Sequence, residues 1–370
     1  AASSPQGMEA DLVLDAGTGD LLTIPQGAAL LEADFDRSGP DLLLTLPDGT
    51  RILVADYFSV ENPPTLATEG GAIIQPELVA SLAGPLAPGQ YAQVGDLLAP
   101  QVIGRVDTIT GEVTASRADG TTVTLTQGAD VFMGDVVATA DSAAVGLVFL
   151  DESAFSLGED GRMVLDELIY DPVTAEGSSA FSILQGVFVF VSGEIAASNP
   201  DGMLITTPVA TIGIRGTKVG GRAAQEGEYN TVTLMPQQGM GSDGQVIDYV
   251  GTITVENWSG AVTLTSAYET TTVASVFEAP LAPVVLSMDQ ATLLYQSVER
   301  WLPDPANPAA NTDRNEGTDD GSSGTGAGEG TAEDSDGKDE PGTAEGELEA
   351  DVDAPLEGEA ELAEEMEGEP

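Results

Sequence analysis

Up to about residue 302, apolar and β-branched residues arrive in short runs of Val, Ile, Leu and Thr, separated by Gly, Asp, Asn and Pro. Runs of this length with such separators predict many short strands rather than helices. Asp-Gly pairs at Asp48-Gly49, Asp119-Gly120, Asp160-Gly161, Asp201-Gly202 and Asp243-Gly244 punctuate them and offer the positive φ that tight hairpin turns need. Two runs, AAVGLVFL (143–150) and GVFVFV (186–191), are apolar at consecutive positions, so both faces of those strands are expected to be covered in the middle of a sheet or between sheets. Apolar spacing of three and four occurs in PELVASLAG (76–84) and MDQATLLYQSVERWL (288–302), which predicts two helices, the second closing the domain at its C-terminal end.

The same pattern suggests an internal repeat. GEVTASRADGTTVTL (111–125) aligns without gaps to GEIAASNPDGMLITT (193–207), each reading as strand, Asp-Gly turn, strand, and SGAVTLTSAYETTTV (259–273) is a weaker echo. The expected fold is therefore mainly β: a short hairpin-built sandwich or solenoid-like domain in which repeated units bury their apolar faces on one another. The chain divides into an N-terminal hairpin region (1–95), a β domain ending in the helix (96–302) and a polar, acidic segment (303–370). That last segment is too poor in apolar residues to offset the entropy of ordering and is expected to be a disordered tail.

Composition narrows the chemistry. Among 370 residues there are 62 Asp plus Glu against 11 Lys plus Arg, a net charge of −51. Such a charge repels nucleic acid and anionic lipid, and it favours basic protein partners and weak, diffuse calcium binding without a defined metal site. The absence of Cys removes thiol nucleophiles, disulfides and thiolate metal sites, and the absence of His removes imidazole triads and zinc sites. Catalysis would have to rest on carboxylates, Lys, Tyr or hydroxyls, and nothing in the sequence singles out a facing pair of carboxylates of the kind a carbohydrate-active enzyme needs. DFDRSG (34–39) imitates the start of a calcium loop, but Thr45 stands at the twelfth place, where a bidentate Glu is required. No apolar run approaches the ~18 residues that cross a bilayer as a helix, so stable membrane insertion is not expected. The chain opens AASSPQGM, without the charged and apolar regions of a signal peptide, which is read as removed or absent.

Against this acidic background TTPVATIGIRGTKVGGR (206–222) is a basic island carrying Arg215, Lys218 and Arg222. It lacks phosphate-loop spacing, and its glycines precede no helix that could hold an anion. Val209, Ile212 and Ile214 read as buried strand positions, Gly216 as a turn, and the three cations either pair with nearby carboxylates or form a candidate interaction edge.

The stretch from about Ile103 to Val255 resembles the extracytoplasmic FecR-type domain. The resemblance lies in Gly134-Asp135, in Thr139 and Asp141-Ser142, in LVFLDES (147–153) and above all in TPVATIGIRGT (207–217). Asp151-Glu152-Ser153 departs from it, standing where the family usually has Asp-Gly-Ser. The resemblance implies a bacterial envelope β domain, periplasmic or extracellular, that is noncatalytic. The leading expectation is a scaffold or protein-interaction module with an unidentified protein partner. A periplasmic sensory or regulatory domain is the alternative, and a carbohydrate-active enzyme is a third.

Overall fold

The computed structural model describes residues 10–17, 19–25, 27–84, 101–224, 228–240 and 245–304. The expected boundary between residues 95 and 96, the Asp243-Gly244 turn and all but the first two residues of the expected tail lie outside them. The fold is mainly β, with helices at Pro76–Ala83, Ile195–Ser198 and Met288–Glu299.

The body consists of two sheets joined by one 16-residue strand, Glu176–Val191. Its first half pairs on one side with Arg162–Asp171 and on the other, in parallel, with Met203–Thr206. Its second half pairs with Ala154–Leu157 and Lys218–Ala223 in the other sheet. The change of sheet falls at Gly186, whose φ of 112° is open to glycine and whose missing Cβ would stand 2.7 Å from the Cα of Gly161. A bend of this kind is how a strand turns a corner between packed sheets. The first sheet continues outward through Thr211–Arg215, Thr252–Asn257 and Gly260–Leu264. On its other flank lie Val136–Thr139, Val113–Ser116 and Thr122–Thr124. The second sheet places Ala144–Phe149 between Val102–Thr110 and Ala154–Leu157. Both doubly apolar runs thus occupy central strands, as their pattern requires.

The inner faces of the two sheets share one core, in which Phe149 and Phe181 stack at 4.7 Å and Phe155 lies 5.7 Å from Phe188. Helix Met288–Glu299 closes this body. Ser287 and Gln290 form a capping box at its start. Its fully buried Tyr295 shares a 2.8 Å hydrogen bond with Thr233, which in turn meets Thr270 at 2.8 Å.

Residues 12–55 supply a separate four-stranded sheet in which Asp34–Ser38, Asp41–Thr45 and Arg51–Ala55 form the expected hairpins. Leu42, Leu44, Ile52 and Val54 are buried in the same core cluster as the body. The region is also tied to the body by backbone bonds from Ile73 N to Pro208 O (2.8 Å) and from Val276 N to Gly71 O (3.0 Å), and by Arg162, which donates to Ala33 O at 2.9 Å.

The internal repeat does not hold. Val113–Ser116 and Thr122–Thr124 form the expected hairpin, with Gly120 at φ 83°. The aligned segment instead begins with helix Ile195–Ser198 and then enters Met203–Thr206, which runs parallel to Glu176–Val191. Parallel neighbours cannot be joined by a hairpin, and the chain must cross over before it can pair again. Gly202 serves this crossover through close packing, its missing Cβ lying 2.4 Å from Asn199 Nδ2, rather than through positive φ. The two strands of the weaker echo belong to different sheets.

Candidate functional site

The residues that carry the sequence resemblance set turns. Gly134 adopts φ 86°, and Asp135, 1% exposed, accepts from the Phe132 N–H at 2.8 Å and from Arg117. The Arg117 guanidinium lies over the Phe132 ring, 4.5 Å from its centroid. Burial pushes the Asp135 carboxyl up, opposed by the Phe132 bond and by Arg117. Thr139 donates to Gly158 O and accepts from Gly161 N at 2.8 Å. Asp151 is fully buried and accepts both the backbone N–H (3.2 Å) and the hydroxyl (2.6 Å) of Ser153. Between them Glu152 sits at φ 63°, the left-handed conformation for which the usual glycine is suited. Thr207 closes a tight loop with Ala210, and Thr217 is held on both sides by Ser192, whose Oγ takes its N–H at 2.8 Å and whose N–H donates to its carbonyl at 3.1 Å.

Thr211–Arg215 of the first sheet and Lys218–Ala223 of the second are consecutive strands joined through Gly216, φ 61°. Ile212 and Ile214 are buried strand residues, whereas Val209 is buried just ahead of the strand. Each island cation meets a carboxylate. Arg215 donates through Nε and Nη2 to Asp201 at 2.9 and 2.6 Å, Arg222 to Glu228 at 2.7 Å, and Lys218 to Glu299 on the closing helix. The glycines that follow are packing sites: a Cβ on Gly221 would meet Phe188 at 2.2 Å, and one on Gly220 would meet Tyr295 at 2.8 Å. In the imitation calcium loop, Asp34–Ser38 is a paired strand, and among the described residues no group of three acidic side chains could hold a metal ion.

Beside the Thr207–Thr217 segment lies a cavity of about 250 Å3. Six separate stretches build it: residues 73–78 of the N-terminal region, Asp166, residues 180–184, the loop 206–211, residues 256–258 and Val276. Ile74, Leu78, Ile183, Val209 and Val276 make it largely apolar. Asp166 lies at an irregularity in the pairing of Arg162–Asp171 with Glu176–Val191. Burial pushes its carboxyl up to about 6, opposed by the polar groups of the neighbouring Ser182. Glu77, Glu256 and the half-exposed Trp258 complete the lining. The arrangement offers one desolvated carboxylate, two further carboxylates, apolar walls and an indole. The sequence marks Val209 only as a buried strand position and Thr207 only within the resemblance, and groups neither with the other lining residues. The only further signal was the acidic pair Asp166-Glu167 inside the otherwise apolar run RMVLDELIY (162–170).

Comparison with known proteins places residues 135–235 in a match to the FecR protein family model. Two crystal structures, at 1.65 and 2.50 Å resolution, of a protein from Parabacteroides distasonis ATCC 8503 proposed to be an anti-sigma factor are similar at 14% identity and TM-score 0.30, covering 42% of this chain. This chain spans 62% of the length of that protein's chain. No curated protein matches. The cavity is thus formed where the N-terminal region meets residues 135–235, the segment that matches the FecR protein family model.

Proposed function

We propose that the chain acts outside the cytoplasm, in the periplasm or at the cell surface, as a noncatalytic sensory or regulatory module of the FecR type that works by binding a protein partner. The observation that carries this reading is the family match over residues 135–235. The cavity against residues 206–211 supports it, because a largely apolar recess with a few polar groups is the form a binding site takes. No helix among the described residues is long and apolar enough to cross a membrane. The scaffold reading shares the fold and the partner class but predicts a different phenotype. Deleting the gene in its native cell and profiling transcripts separates the two. A regulatory module changes a small, discrete set of transcripts, restored by the intact gene. Unchanged transcripts together with a weakened envelope would favour the scaffold.

A further inference from the structure

We propose that the cavity between the N-terminal region and residues 206–211 is a binding site for a primary alkylammonium group, with Asp166 as its counter-charge and Trp258 as its aromatic rim. The inference rests on the cavity alone and stands whether or not the domain regulates anything.

Volume comes first. About 250 Å3 falls below the roughly 300–1,000 Å3 of pockets for drug-sized ligands, so the site takes a small molecule or a single side chain. Charge comes second. Asp166, Glu77 and Glu256 contribute carboxylates, and no Lys or Arg is among the lining residues. An anionic ligand is therefore repelled and a cation attracted. The walls then choose among cations. Ile74, Leu78, Ile183 and Val209 cannot replace the water of a hydrated metal ion, but they suit a methylene stem. The small volume and the apolar walls favour a compact ammonium on a methylene stem over the larger, planar guanidinium. Trp258, 55% exposed and held edge-on by Phe277 at 5.9 Å, offers an indole at the mouth, where a cation gains from the ring face.

The source of the ammonium is either a free amine or a lysine of a partner, and the test distinguishes them. The full chain is titrated calorimetrically at constant physiological ionic strength with n-pentylammonium chloride, with the blocked peptide acetyl-Gly-Lys-Gly-amide, and with ammonium chloride as a control for diffuse attraction to the acidic chain. One saturable site for n-pentylammonium, absent with ammonium chloride, is expected. Binding of the peptide as well assigns the site to a partner lysine; binding of the amine alone assigns it to a free ligand. Asp166→Asn should weaken binding by roughly tenfold and Trp258→Ala by several-fold. Affinity should also fall as the pH drops below about 6, with Glu77 and Glu256 the other titratable groups around the cavity. Should Asp166→Asn fail to fold, Trp258→Ala decides, because its side chain is half-exposed. Heat that never saturates, or saturable binding unchanged in the folded variants, overturns the assignment.

Discussion

Replacing Glu152 by glycine should stabilise the protein. The turn after strand Ala144–Phe149 is closed by bonds from Glu152 N to Phe149 O (3.1 Å) and from Phe149 N to Ser153 O (3.0 Å), with Glu152 at φ 63°. This is a turn followed by a left-handed residue, the place where hairpins normally carry glycine. A side chain there costs about 1–2 kcal/mol in contact between its Cβ and the backbone. Glycine returns roughly 0.5–1 kcal/mol of that through the greater entropy of its unfolded chain. The Glu152 side chain is exposed, so little packing is lost, and it adds negative charge near Tyr170, Asp151 and Glu194. The net gain is about 0.5–1 kcal/mol, or roughly 2 °C in melting temperature. Urea denaturation of Glu152→Gly, Glu152→Ala and the parent provides the assay, read as a midpoint shift at constant slope. Glu152→Ala removes the charge but keeps the strained backbone. An alanine variant as stable as the glycine variant would assign the effect to charge, and a glycine variant no more stable than the parent would refute the argument from conformation.

Asp166→Asn should raise stability at pH 7 by on the order of 2 kcal/mol and by little at pH 4. A carboxyl pushed up from 3.8 to about 6 holds its proton longer folded than unfolded, so the parent loses stability as pH rises through that window; equal gains at both pH values would remove titration as the cause. Gly221→Ala should cost about 1–3 kcal/mol, because its Cβ would meet the buried Phe188 ring at 2.2 Å. Gly213→Ala, with nothing closer than 3.9 Å, is the matched control in thermal melts. Lys218→Ala should lower stability by roughly 1 kcal/mol and Arg215→Ala by less than about 0.5 kcal/mol, since the Lys218–Glu299 pair is the less exposed and holds the closing helix, whereas Arg215 and Asp201 are 52% and 76% exposed. The reverse order in denaturant midpoints would mean that the helix is held by packing alone.

Where apolar pattern and turn chemistry are local, the sequence alone determined the outcome. The consecutive apolar residues of Ala144–Phe149 and Gly186–Val191 could only be satisfied by cover on both faces, and they lie in central strands. The three-and-four spacing of Met288–Glu299 produced the closing helix, with Tyr295 and Val298 inward. Gly49 and Gly120 took the positive φ that their Asp-Gly pairs announced, but at the third pair it is Asp160, φ 49°, that turns. Only the tertiary structure decided the fate of GEIAASNPDG (193–202), because a segment so like GEVTASRADG (111–120) becomes helix or strand according to its neighbours. Val113–Ser116 has a strand on each side. Ile195–Ser198 connects two parallel strands, and its Ile195 is buried against the fold it must cross. The cavity is likewise invisible in the sequence. Ile74, Asp166, Val209 and Val276 are far apart along the chain, and no local pattern marks them as neighbours. What brings them together is burial of apolar surface between the N-terminal region and the body, a non-directional force that acts on the whole chain at once and leaves no periodic trace at the residues where it happens to leave a gap.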